Sequence, residues 1–152
     1  DNTIKDSKEV RSYLQSKKKK LFSYEIFENL DLSKGNYEEL EFQFSSFVGC
    51  NFTQSSWNKS HLLFSNLQNT MLKNTKMEKM KIFDTDFSGA TLEQVDFAGA
   101  KIKHVSFAGA KLIQVDFSKV LLAEEINFQD AQIVDCKFPE EVGSGLLYHE
   151  NR

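Results

Sequence analysis

The chain has 152 residues, 40% hydrophobic and 12% aromatic, with 22 Asp and Glu against 19 Lys and Arg. That is the size and balance of one globular unit or one compact array, which excludes a disordered chain and a disulfide scaffold. The formal net charge of -3 argues against a generic basic nucleic-acid binder. No run approaches the ~18 apolar residues of a spanning helix, and no leader with a small-residue cleavage site opens the chain. The start at Asp1 rather than Met is read as an excised domain or a processed product.

In chain order, the first expected element is a helix over about 7–18, within an N-terminal segment assigned to 1–21. Asp6 and Glu9 have the spacing of an N-terminal cap, and Val10, Tyr13, Leu14 and Leu21 form an apolar stripe expected to lid whatever follows. Lys17 to Lys20 fall at the helix C-terminus, where cations are mildly favoured.

From residue 32 onward the pattern changes. Phe87, Phe97, Phe107 and Phe117 are ten apart, with Leu92, Ile102, Leu112 and Leu122 midway, so the period is five. Extended backward, the register runs through Ile82, Met77, Leu72, Leu67, Leu62, Trp57, Phe52, Phe47, Phe42 and Tyr37 to Leu32. Every such position is apolar or aromatic, a run with a chance probability of about 10⁻⁸ at this composition. Neither a 3.6-residue nor a 2-residue period keeps these side chains on one side, so the chain must turn a corner every five residues. Two residues before each centre stands an uncharged, mostly small side chain such as Ser45, Cys50, Ser60, Ala90 or Val95, read as a second inward position. Gly49, Gly89, Gly99 and Gly109 fall two residues after a centre, where a tight corner favours glycine.

These residues resemble the pentapeptide-repeat family, whose pattern is a small residue, Asp or Asn, Leu or Phe, then two variable positions. Thr85-Asp86-Phe87, Val95-Asp96-Phe97, Val115-Asp116-Phe117, Cys50-Asn51-Phe52 and Ser65-Asn66-Leu67 match closely. Ala100-Lys101-Ile102 and Ala110-Lys111-Leu112 match more loosely. The resemblance implies an all-β solenoid, a right-handed four-sided β-helix over 22–138 with four pentapeptides per coil and about 5.5 coils. Same-face residues then recur every 20. Two opposite columns are largely aromatic (Tyr37, Trp57, Met77, Phe97, Phe117; and Phe27, Phe47, Leu67, Phe87, Phe107), and the other two become aliphatic in later coils.

After Leu122 the centres Phe128, Ile133 and Phe138 come one residue late, so an extra residue is expected as an outward bulge near Glu124-Glu125. The segment 139–152, opened by Pro139 and carrying Leu146, Leu147 and Tyr148, is assigned as a tail or cap.

The chemistry expected of the chain is sparse. Cys50 and Cys136 occupy inward positions about four coils apart, too far for a mutual disulfide, and suit a reducing compartment. His61, His104 and His149 lack partners at ligand spacing, no phosphate-loop or nucleophile-elbow motif has its strand-to-helix context, and Asp86, Asp96 and Asp116 fall at the family's ordinary structural position. No catalytic residue, cofactor, metal or small-molecule substrate is therefore expected, and no membrane contact.

One surface feature stands out. Phe44, Phe64 and Phe83 are the three Phe off the repeat centres and share one face with Leu63. Lys81, Lys101 and Lys103, with His61 and His104, edge this apolar patch. Such a patch marks a protein contact or a surface covered by the chain's own flanks, and these seven Phe, Leu and Lys residues are the expected partner-binding set. The expected function is a non-enzymatic interaction scaffold. The N-terminal helix leading into Phe-rich repeats looks similar to β-helix domains of bacterial secreted effectors, which implies a substrate-selecting or targeting module in the cytoplasm, or delivered to a host cell. The alternative is protection of DNA gyrase by an acidic DNA mimic, as in quinolone-resistance members of the family. Residues 41–138 hold 11 Asp and Glu against 10 Lys and Arg, which leaves no dense acidic face. Direct nucleic-acid binding through three lysines is weaker still.

Overall fold

The structure, a computed structural model, describes residues 6–139. A single helix, α1 (Ser7–Gln15), precedes ten short strands: β1 (Leu21–Ser23), β2 (Glu41–Gln43), β3 (His61–Leu63), β4 (Met71–Lys73), β5 (Lys81–Asp86), β6 (Thr91–Asp96), β7 (Lys101–Ser106), β8 (Lys111–Asp116), β9 (Leu122–Asn127) and β10 (Gln132–Val134). All pairing is parallel. One sheet has the order β1-β2-β3-β5-β7-β9, and the sheet across the interior has the order β10-β8-β6-β4. The two remaining walls are joined by single bridges such as Ser46↔Asn66 and Ser56↔Lys76 in the early coils and by the far ends of the six-residue strands, as in Thr85↔Val105 and Val95↔Val115, in the later ones. The register is 20 residues per coil, as Phe42↔Leu62 and Leu62↔Ile82 show. Repeat centres run from Phe22 to Phe138 in six coils, half a coil more than expected.

Each wall is held by the same alternation. The centres are buried, from Phe22 and Phe42 to Ile102 and Phe107 at 0% exposure. Large rings stack coil on coil: Phe22 on Phe42 at 4.9 Å, Phe87 on Phe107 at 5.2 Å, Phe97 on Phe117 at 5.0 Å. The second inward position is buried too, and its hydroxyls return to the backbone. Ser55 Oγ donates to the Phe52 carbonyl, Ser60 Oγ to that of Trp57 (2.6 Å each) and Thr70 Oγ1 to that of Leu67 (2.8 Å), so no desolvated hydroxyl is left unmade there. The corner residue two after a centre has a left-handed backbone throughout, apart from the irregular corner at 118–121. Glycine meets that demand at Gly49 (φ 73°), where a Cβ would also lie 2.1 Å from Asn29 Oδ1.

The N-terminal lid forms, with corrections to its extent. Asp6 caps α1 by accepting from the Lys8 N–H (2.8 Å), but the helix ends at Gln15 rather than 18, because Lys17 turns left-handed (φ 59°). Val10 and Leu14 bury, whereas Tyr13 is half exposed. Leu21 belongs to β1 and points outward, leaving the inward place to Phe22. The helix and the turn that follows it also satisfy the open backbone edge of the first coil. Ser7 Oγ accepts from the Asp31 N–H (2.9 Å), Arg11 Nη2 donates to the Asp31 carbonyl (2.6 Å), Gln15 Oε1 accepts from the Asn36 N–H (2.9 Å), and Lys17 Nζ donates to the Glu38 carbonyl (2.6 Å). Four side chains thus stand in for a missing strand, which blunts an edge that would otherwise template aggregation.

The extra residue is not at Glu124-Glu125. Strand β9 pairs Lys101↔Leu122 and Ile102↔Ala123, so Ala123, not Leu122, is the centre, and the insertion lies at the 118–121 corner, where Leu121 is extruded at 71% exposure. Glu124 and Glu125 stay in ordinary register, opposite Lys103 and beside His104. The proposed cap residues Leu146, Leu147 and Tyr148 lie outside the described residues, as does His149.

Candidate protein-docking face

The six-stranded sheet carries the anticipated patch, and strand register arranges it in columns. Leu63 is the register partner of Phe83, and Lys81 of Lys101, with Phe83 next to Lys103. At the corner flanking that sheet, Phe44 and Phe64 stack with rings 4.9 Å apart and 7° from parallel. Tyr24 extends the stack by one coil, 5.2 Å from Phe44 and 8° from parallel. The sequence register begins at Leu32, so Tyr24 falls outside it. Spacing by 20 from Phe44 would have found it.

These rings are costly to display. Tyr24, Phe44 and Phe64 are exposed at 73%, 48% and 53% and have φ of 58°, 51° and 51°, a conformation that disfavours bulky L-residues. In the same column Asp84 and His104 occupy the corner in later coils, so the fold does not require an aromatic there. Phe83 and Leu63, by contrast, are half-buried. Leu21 and Ile26, at 50% and 58% exposure, widen the apolar surface at the first coil.

Charge is arranged unevenly around the rings. Glu41 Oε1 lies 3.1 Å from His61 Nδ1, and a hydrogen bond from Gln43 together with that imidazole holds the Glu41 carboxyl below its ordinary range. Lys103 pairs with Glu124 (3.7 Å) and His104 with Glu125 (2.7 Å). Lys81 lies over the Phe83 ring, 4.8 Å from its centroid.

The interior offers nothing comparable. Tyr37 donates to the Leu32 carbonyl (2.7 Å) and burial raises its pKa; burial pushes the Cys50 thiol up to about 11 and raises that of the half-buried Cys136. Asp96 Oδ1 and Asp116 Oδ1 accept from the backbone N–H two residues on (2.9 and 2.8 Å), the structural role expected of that repeat position. Among the described residues, no group of three metal-ligating side chains occurs and no helix is long and apolar enough to cross a membrane.

Comparison with known proteins bears on the fold. The family profile for Pentapeptide repeats matches eight copies over residues 45–79 and 82–118. Among solved structures, the trypsin-treated R167E form of QnrB1, a plasmid-mediated fluoroquinolone resistance protein, aligns with a TM-score of 0.62 at 19% identity, over 78% of this chain and 67% of that one. Rfr23, a pentapeptide repeat protein from the cyanobacterium Cyanothece 51142, aligns with a TM-score of 0.49 at 12% identity, over 86% of this chain and 99% of that one. No curated protein matches the sequence.

Proposed function

The chain belongs to the pentapeptide-repeat family, and from that premise we propose that it is a non-enzymatic scaffold that docks a protein partner on its six-stranded face. The observation that carries this reading is the Tyr24-Phe44-Phe64 ring stack, half exposed at corners whose backbone disfavours it. Strained, exposed aromatics held on a rigid support are suited to act as interface anchors. A core filled by side chains leaves the outward positions to carry function.

The finer reading is a substrate-selecting or targeting module of a larger bacterial effector, working in a reducing compartment that keeps Cys50 and Cys136 as thiols. Protection of DNA gyrase would need a continuous acidic column. The longest candidate, Asp96 and Asp116, is followed in register by Lys137 and preceded one coil earlier by Lys76. Affinity capture from host and bacterial lysates tests the docking reading, with the wild type, Phe44→Asn/Phe64→Asn and a control, Gln94→Ser/Gln114→Ser, on the opposite sheet. A specific partner lost only from the Phe variant is the expected result; a partner list unchanged in both variants sinks it.

A further inference from the structure

We propose that the docked segment is an extended, acidic peptide with a carboxylate two residues from a large apolar side chain, lying along the strands of the third to fifth coils. The inference rests on the docking face above and names what fits it. Lys81 and Lys101 are register partners on adjacent strands, where like charges repel. Among the described residues, neither has a carboxylate at ion-pair distance, whereas Lys103 and His104 each have one. The face thus holds two adjacent cations without a paired carboxylate, Lys81 lying over the Phe83 ring with Glu41 two coils away in its column.

Two residues along from Lys81 on β5 lies Phe83, whose register partner on β3 is Leu63, with Phe64 at the corner beyond. Positions two apart in a strand are separated by about 6.6 Å, which is also the spacing of alternate side chains on one face of an extended ligand. A ligand strand running along β5 can therefore set a carboxylate over Lys81, beside Lys101, and an apolar side chain over Phe83, beside Leu63, its intervening residue facing water. A helical ligand does not match, because its i and i+2 side chains point apart. Nor does a phosphate backbone, which needs a longer track of cations than these lysines offer.

A phage-displayed random-peptide library tests this against the full chain, Phe44→Asn/Phe64→Asn and Lys81→Gln/Lys101→Gln, after circular dichroism shows that all three fold. The wild type should enrich peptides with Asp or Glu two residues from Phe, Leu, Ile or Trp. A synthetic copy should bind the lysine variant about 10-fold more weakly, as expected on losing two rim charges. Enriched apolar peptides without the acidic position, held equally by the lysine variant, overturn the inference and leave the docking face standing. Peptides held equally by the Phe variant, or no enrichment over an unrelated protein, overturn both. A dimer in light scattering that the Phe variant dissociates makes a second copy the occupant and also overturns the inference.

Discussion

Replacing Phe64 by Asn separates a displayed ring from a structural one. Phe64 is 53% exposed, so its burial supplies roughly half of the ~1.5–3 kcal/mol of a fully buried Phe, about 1 kcal/mol. Its stacking on Phe44 at 4.9 Å adds about 0.5–1.5 kcal/mol. In the other direction, the left-handed corner costs an ordinary L-residue about 1–2 kcal/mol, part of which Asn recovers because its short polar side chain bonds locally. The expected net loss is about 1 kcal/mol. Phe107, at 0% exposure between the rings of Phe87 (5.2 Å) and Phe128 (5.6 Å), should by contrast lose about 3–5 kcal/mol on substitution by Ala. Urea unfolding followed by far-UV circular dichroism measures both. If Phe64→Asn costs as much as Phe107→Ala, the ring stack is part of the fold and the reasoning that it is spare for a partner is refuted.

Other outcomes follow from the same geometry. Deleting Leu121, the extruded residue, should leave a folded β-helix by circular dichroism, whereas deleting Gln94 shifts every later coil and should unfold it. Asp6→Ala should lower stability by about 1 kcal/mol in urea, the usual value of an N-cap. Trp57 Nε1 is buried without a hydrogen-bond partner, so Trp57→Phe should cost less than Phe107→Ala in the same assay, because it removes an orphaned donor as well as volume. With its pKa raised to about 11, Cys50 stays protonated at pH 8 in the folded state; a thiol titration should modify the more exposed Cys136 first and Cys50 only on unfolding.

Much of the interior was legible before the structure, because a period of five leaves a mark at every centre and a solenoid repeats its environment coil by coil. The small inward residues were equally legible: Ser55 and Ser60 fit the second inward position, where the structure adds that each finds a carbonyl. Three features were not. Leu121, Leu122 and Ala123 all satisfy an apolar position, so composition alone could not locate the extra residue, and only strand register assigns the centre to Ala123. Left-handed corners announce themselves through glycine, yet most corners here bear other residues, and nothing in the sequence marks Phe64 as strained. The helix looked longer because Leu21 continues its apolar spacing, although the left-handed turn at Lys17 ends it and hands the inward place to Phe22.

Hydroxyl-radical footprinting of the captured complex tests the docking face most directly, because exposed side chains on opposite sheets serve as one another's controls. Binding should protect Phe44, Phe64 and Phe83 from oxidation while Met71 and Val134, exposed on the four-stranded sheet, keep their free rates. Protection of Met71 and Val134 with Phe44 and Phe64 unchanged would place the partner on the opposite wall and contradict the account.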